Sequence, residues 1–96
     1  MTVNGIGKPP GCKLIRVTAE VDAGTIRSVS IRGDFFAFPE EGFERVEAAL
    51  NGTAADDLAR RFDELLGREG VEAYGIDGGA VAAVFDPAYE AIRKER

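Results

Sequence analysis

Alternation of apolar and polar side chains predicts a β-hairpin near the start of the chain. From Ile15 to Val21 every second side chain is apolar and the residues between them are polar. This period-two pattern is typical of a strand with one buried face. Residues 22–24 are Asp-Ala-Gly, and aspartate and glycine favour tight turns. Residues 25–32 are rich in β-branched side chains. The two segments are therefore predicted to pair as antiparallel strands.

The second predicted strand contains an irregularity. Ile26 is out of phase with Val29 and Ile31 in the period-two pattern. This offset predicts a β-bulge near residues 27 and 28, or an apolar residue on the outer face. The next residues, 35–38, are Phe-Phe-Ala-Phe. We predict that they form a short third strand, or an extended segment packed on the sheet.

Helical periodicity replaces the alternation after Pro39. Pro39 suits the first turn of a helix that Asn51-Gly52 would end. A second helix is predicted from Thr53 to the glycines at 67 and 70, on an apolar stripe with helical spacing. That stripe comprises Ala55, Leu58, Ala59, Phe62, Leu65 and Leu66. Residues 71–76 form an ambiguous connector with room for a short strand.

Two short helices are predicted after this connector. Asp77 is positioned to cap the first, and Asp86-Pro87 is positioned to open the last. Residues 1–12 contain Gly5, Gly7 and the run Pro9-Pro10-Gly11, which predicts a flexible arm without regular structure. We therefore expect an arm over residues 1–12 and a single domain over residues 13–96.

The order of these elements predicts the fold class. Strands come first and helices follow, without βαβ alternation, so we expect an α+β fold. It would have an antiparallel sheet of about three strands with the helices packed on one face.

Composition narrows the possible functions. The 96 residues carry a net charge of −5, with no histidine and one cysteine, Cys12. The acidic balance disfavours nucleic-acid binding, and the apolar runs are too short to span a membrane. Without histidine, Ser-His and Cys-His nucleophiles and Cys/His zinc sites are excluded. The first residues do not resemble a signal peptide, so we expect a cytoplasmic protein.

Three segments resemble the C-terminal accessory domain of lipoate-protein ligases. They are residues 9–17, residues 24–32 and the Gly-Asp-Phe-Phe stretch that starts at Gly33. The similarity continues through the first predicted helix to Asn51-Gly52, and again from Gly75 into the closing helices. It therefore spans nearly the whole chain, and the Gly-Asp-Phe-Phe stretch is its most specific part.

The resemblance implies a function that the chain would not perform alone. In this family a catalytic domain uses lipoate and ATP, with its magnesium ion, to form lipoyl-adenylate and then modifies a lysine of an acceptor domain. A separate small chain would be a non-catalytic subunit that docks on the catalytic subunit and is required for adenylate formation. The chain itself would bind no cofactor and no metal and have no catalytic residue. Its partners would be the catalytic subunit and, indirectly, the lipoyl acceptor domains.

Candidate site residues lie in two groups. Lys8 and Lys13, on either side of a turn that includes Gly11, are candidates to approach phosphates of ATP or the adenylate. Gly33, Asp34, Phe35 and Phe36 are candidates for the interface with the catalytic subunit. In an extended segment Phe35 and Phe36 point to opposite faces, so one would enter the core and the other would contact the partner. Alternatively, both fill the core.

Two other functions remain open. The family fold is similar to that of sulfur-acceptor and iron-sulfur scaffold proteins. A single cysteine excludes a cluster scaffold, which needs several thiolates. Cys12 beside Lys13 would still suffice for a sulfur acceptor, because a nearby ammonium lowers a thiol pKa. An incidental, solvent-facing Cys12 is the simpler interpretation. The third possibility is a free-standing interaction domain with an unrelated partner.

Overall fold

The computed structural model describes residues 1–94 and has the α+β architecture expected from the order of elements. Its strands are β1 (Thr2–Gly7), β2 (Ile15–Asp22), β3 (Thr25–Gly33), β4 (Phe36–Phe38) and β5 (Glu72–Tyr74). Its helices are α1 (Glu40–Ala49), α2 (Leu58–Arg68) and α3 (Gly78–Lys94), and one 3₁₀ turn (Ala55–Asp57) precedes α2. The predicted α+β fold with a three-stranded antiparallel sheet is confirmed.

The β2–β3 hairpin and its bulge are confirmed. Buried and exposed residues alternate along β2 without exception. Val21 pairs with Ile26 and Glu20 pairs with Ser28, which leaves Arg27 as the extra residue on β3. This extra residue brings Ile26 back to the inner face, where it is fully buried.

The prediction that residues 1–12 form an irregular arm is wrong for residues 2–7. They form β1, which pairs antiparallel with β2 in a sheet of order β1-β2-β3. A Cβ atom on Gly5 would lie 2.5 Å from the carbonyl oxygen of Val84 in α3. This glycine therefore allows a helix to pack directly on the strand and does not break it. The folded unit begins before residue 13, and residues 95 and 96 of the predicted domain lie outside the described residues.

The segment predicted as a third strand belongs to a second sheet. β4 pairs antiparallel with β5, and β5 is the short strand for which the connector over residues 71–76 has room. Phe36 is opposite Tyr74, Ala37 is opposite Ala73, and Phe38 is opposite Glu72. The small β4–β5 ribbon is thus separate from the main sheet, whose third strand is β1.

The first two helices follow the sequence pattern with one shift. α1 starts after Pro39 and ends just before Asn51-Gly52, as predicted. α2 starts at Leu58 and not near Thr53, because the Thr53 carbonyl accepts a hydrogen bond from the Ile26 N–H at 2.8 Å. That bond holds residue 53 beside β3 before the helix begins.

The two predicted closing helices are a single helix, α3, which runs through Pro87. Asp77 caps it as expected, since its Oδ1 accepts a hydrogen bond from the Ala80 N–H at 2.8 Å. Proline removes one helical N–H. Phe85 and Tyr89 nevertheless lie buried on either side, with ring centroids 5.3 Å apart, and their packing keeps the helix continuous.

The core lies between the inner face of the main sheet and the three helices. Its largest fully buried side chains are Phe62 of α2 and Phe85 of α3. Within residues 1–94 no helix combines the length and apolar character needed to cross a membrane. One face of the β4–β5 ribbon is left outside this core.

Candidate functional site

Three large aromatic side chains lie exposed on one face of the β4–β5 ribbon. Phe36, Phe38 and Tyr74 have 61%, 53% and 58% of their surface exposed, respectively. Phe36 and Phe38 are two residues apart in a strand, and Tyr74 is directly opposite Phe36, so all three share one side of the ribbon. The two phenylalanine rings are nearly parallel, with centroids 6.2 Å apart. We call these three residues the aromatic surface; contiguous apolar patches of this kind mark interaction sites.

The opposite orientations of Phe35 and Phe36 are confirmed. Phe35 is half-buried, with its ring centroid 5.5 Å from that of Phe43, and Phe43 in turn lies 6.1 Å from Phe62 in an edge-to-face arrangement. Phe35 is thus linked to the core while Phe36 points to solvent. The alternative in which both rings fill the core is wrong.

Gly33 and Asp34 form the bend that leads from β3 to this ribbon. Gly33 has a φ of +154°, and a Cβ there would lie 2.0 Å from the Leu14 carbonyl oxygen. The same oxygen accepts a hydrogen bond from the Asp34 N–H at 3.0 Å. The backbone conformation and this close approach together require glycine at position 33. The Asp34 side chain is exposed and makes no hydrogen bond within residues 1–94.

The turn with Lys8, Gly11 and Lys13 lies between β1 and β2. The Cys12 N–H donates to the Pro9 carbonyl oxygen at 3.0 Å, and Gly11 has a φ of +76°, which suits the third position of a type II turn. Lys13 N–H donates to the carbonyl oxygen of Gly75, the residue after β5, at 2.9 Å. The fold therefore places Lys13 at one end of the β4–β5 ribbon.

Lys8 lies away from that ribbon. It lines a groove of about 510 Å³ between the β1 segment and α3, together with Asn4, Val84 and Pro87. Lys8 and Lys13 are both exposed, and neither belongs to an ion pair within the described residues. The two lysines thus lie on different parts of the surface that flanks the turn.

The prediction that Cys12 faces solvent is wrong. Its side chain is half-buried and packs against the hydrophobic core. The Pro9–Cys12 hydrogen bond turns the chain back onto the domain and brings the thiol with it. Cys12 therefore has a packing role that its place in a Gly/Pro-rich segment does not reveal.

A groove separates the ribbon from α1. It has a volume of about 380 Å³. Its apolar lining comes from Ile31, Phe35, Phe36, Ala37, Phe38 and Phe43, and its charged lining comes from Arg32, Glu40, Glu44 and Glu47. We call it the β4–α1 groove. Phe36 and Phe38 of the aromatic surface form one of its walls.

Hydrogen bonds to carboxylates order both sides of this region. Glu47 is buried, and its Oε2 accepts from the Ile31 N–H at 2.7 Å and from Arg32 Nη1 at 2.8 Å. On the ribbon, the Tyr74 hydroxyl donates to Glu72 Oε2 at 3.2 Å. This hydrogen bond, together with the negative charge of Glu72, raises the pKa of Tyr74 above its ordinary value.

Phe38, Tyr74 and the groove glutamates were not among the predicted site residues. Phe38 could have been predicted from the sequence, because it is two residues beyond Phe36 in the same extended segment and therefore lies on the same face. Tyr74 could not, because its position opposite Phe36 depends on pairing between two strands that are distant in sequence.

The side chains exposed around the ribbon are of kinds that bind partners or ligands. Residues 1–94 contain no group of three or more histidine, cysteine, aspartate or glutamate side chains placed to hold a metal ion. The region combines exposed rings, free carboxylates and an exposed lysine at the end of the ribbon.

Comparison with known proteins finds one similarity in sequence and one in fold. A segment of 52 residues is 42% identical to lipoate-protein ligase A subunit 2 of Thermoplasma acidophilum. The chain is similar to this ligase subunit. The match covers 51% of the chain and 55% of the relative, so it spans about half the length of the curated protein. No family model matches.

A solved structure extends the similarity over most of the fold. It matches with a TM-score of 0.66 and 29% sequence identity, and it covers 86% of this chain and 90% of the solved one. That structure is described as an archaeal lipoylation system, a bipartite lipoate protein ligase and its E2 lipoyl domain, from Thermoplasma acidophilum. The resemblance to lipoate-protein ligase accessory domains is thereby confirmed.

Proposed function

We propose that the chain is the accessory subunit of a bipartite lipoate-protein ligase. It docks on a separate catalytic subunit and supports ATP-dependent formation of lipoyl-adenylate, from which the lipoyl group passes to a lysine of a lipoyl acceptor domain. The chain contributes no catalytic residue, and the complex uses lipoate and ATP with its magnesium ion. The observation that carries the proposal is the aromatic surface, and one of its residues, Phe36, belongs to the Gly-Asp-Phe-Phe stretch where the family resemblance is most specific.

The aromatic surface has the properties of a docking site. Its three rings expose more than half of their area in the free chain, so a partner that covers them removes a large apolar area from water. Aromatic side chains of this kind dominate the energetics of many protein interfaces. Asp34, exposed at the bend before Phe36, provides a polar group at the edge. Phe35, the residue before Phe36, packs on Phe43 and so ties the start of the ribbon to the core.

Lys8 and Lys13 supply positive charge for the second part of the proposal. Both are exposed and unpaired within the described residues, so either ammonium is available for a phosphate on the partner. The hydrogen bond to Gly75 holds the Lys13 backbone in place, and Gly11 shapes the turn between the two lysines. When the chain is docked, these lysines attract the phosphates of ATP or of the adenylate.

A reconstituted adenylation assay tests this function. The chain is co-expressed with a candidate catalytic subunit, and lipoate-dependent release of pyrophosphate from ATP is measured for each subunit and for the complex. Only the complex is expected to form lipoyl-adenylate and to modify an acceptor domain. Adenylation by the chain alone, or full activity of the catalytic subunit without it, contradicts the proposal.

Phe36→Ala is expected to weaken the complex without unfolding the chain. Removal of an exposed ring from the centre of an interface costs about 2 kcal/mol, or roughly 30-fold in Kd. Isothermal titration with the catalytic subunit measures the change. Ile6→Ala is the matched control, because Ile6 is 63% exposed but lies on β1. Equal effects from the two variants would show that the aromatic surface is not the interface.

Cys12→Ser is expected to leave complex formation and adenylation within about twofold of the wild type, because the proposed function gives the thiol no chemical task. In a sulfur acceptor, by contrast, a serine hydroxyl cannot replace the thiolate nucleophile. The same preparations are incubated with a cysteine desulfurase, and persulfide on Cys12 is measured. Stoichiometric persulfide, with adenylation unaffected by the chain, would favour the sulfur-acceptor function. Binding to an unrelated protein alone would favour the free-standing interaction domain.

A further inference from the structure

We infer that the β4–α1 groove receives a segment of the catalytic subunit in which an apolar side chain lies next to a lysine or arginine. This inference rests on the proposed function and adds the chemistry of the partner segment. It follows from the shape and lining of the groove, the exposed aromatic wall and the distribution of charge around it.

The floor of the groove is suited to an apolar side chain. Phe35 is half-buried there and Phe43 is almost fully buried, with their ring centroids 5.5 Å apart. The volume of about 380 Å³ is enough to admit a large side chain. Phe36 and Phe38 form a wall that is exposed in the free chain, so an inserted apolar group would also reduce the exposure of both rings.

The charge at the groove is negative after internal ion pairs are considered. Among residues 1–94, Arg32 is the only basic residue that lines the groove, and it is paired with Glu47 at 2.8 Å. Glu40 and Glu44 are exposed and form no ion pair within residues 1–94. Two carboxylates thus remain without a cation beside an apolar floor.

This combination favours a basic group on the bound segment. An acidic segment would bring like charges together in a site that loses water on binding, which is costly. A neutral segment would leave both carboxylates without a partner at the edge of the interface. A lysine or arginine next to the inserted apolar side chain pairs with them, and the attraction also accelerates association at low ionic strength.

The glutamates of α1 provide a matched test. Glu44→Lys and Glu41→Lys make the same change of charge on the same helix, and both positions are exposed, but only Glu44 lines the groove. The affinity of each variant for the catalytic subunit is measured at several salt concentrations. Glu44→Lys is expected to weaken binding about tenfold and to reduce its salt dependence, whereas Glu41→Lys stays within about twofold of the wild type. Glu44→Gln, which retains the side-chain shape, is expected to give an intermediate loss.

The outcomes separate this inference from the proposed function. If the wild type binds and supports adenylation but Glu44→Lys and Glu41→Lys behave alike, the basic segment is excluded and the accessory function stands. If the wild type forms no complex, the proposed function fails with it. Sedimentation of the chain alone tests a second copy as the occupant, and self-association that Glu44→Lys abolishes would overturn the inference. Thermal unfolding of each variant verifies that the fold is retained.

Discussion

Phe62→Ala is expected to lower the free energy of unfolding by about 3–5 kcal/mol. Phe62 is fully buried at the centre of α2, and its ring lies 6.1 Å from Phe43 in an edge-to-face contact. Truncation loses the transfer free energy of the ring and leaves a cavity between α1 and α2. Urea unfolding followed by circular dichroism measures the change.

Phe62→Leu is the control for this prediction. It keeps most of the apolar volume, so we expect a loss of roughly 1–1.5 kcal/mol. Both variants lose the aromatic contact, but only Phe62→Ala leaves a large cavity. The difference between their free energies of unfolding therefore measures the cost of the cavity. A loss below about 1 kcal/mol in Phe62→Ala would show that Phe62 does not occupy the centre of the core.

Gly33→Ala is expected to destabilise the chain by roughly 2–5 kcal/mol, because two costs combine at this position. The φ of +154° is a conformation that residues with a Cβ rarely adopt. In addition, the new Cβ would lie 2.0 Å from the Leu14 carbonyl oxygen, the acceptor for the Asp34 N–H. Relief of the collision moves the start of β4, so binding to the catalytic subunit should fall as well.

Gly11→Ala separates the two costs. Gly11 also has a positive φ, +76°, but nothing lies within 4 Å of an added Cβ. Its replacement is therefore expected to cost only the conformational strain, roughly 1–2 kcal/mol. Equal losses at the two glycines would mean that the close approach to Leu14 is unimportant.

The elements that depend on local pattern could be predicted from the sequence. The alternation from Ile15 to Val21 and the phase change at Ile26 predict the hairpin and its bulge. The start of α1 after Pro39 and the cap at Asp77 follow from residues next to each helix end. Such features require only the physical properties of neighbouring residues, and each is present in the structure.

The missed elements depend on contacts between distant residues. Gly5 resembles a strand breaker until Val84 is known to lie directly against it. Pro87 resembles a helix start, although the packing of Phe85 with Tyr89 continues the helix through it. In both places tertiary packing outweighs the local preference, and nothing in the adjacent residues indicates it.

The candidate site also combines residues that local sequence predicts with residues that depend on distant contacts. Strand alternation separates Phe35 from Phe36 and correctly leaves one ring outside the core. The full aromatic surface also needs Tyr74, which reaches it through the pairing of β4 with β5. Sequence reasoning therefore finds the first residue of the surface but not its extent.

The packing of α3 on β1 affects how the chain folds during synthesis. The ribosome makes β1 before the other described elements, whereas α3, which carries Val84, emerges only after all of them. Until then the buried face of β1, including Val3, is exposed on the nascent chain. The β1-β2-β3 sheet and the helices between can form in the meantime, but the face of β1 that α3 covers stays open to contact with other chains. Completion of the core is thus coupled to the emergence of α3 from the ribosome.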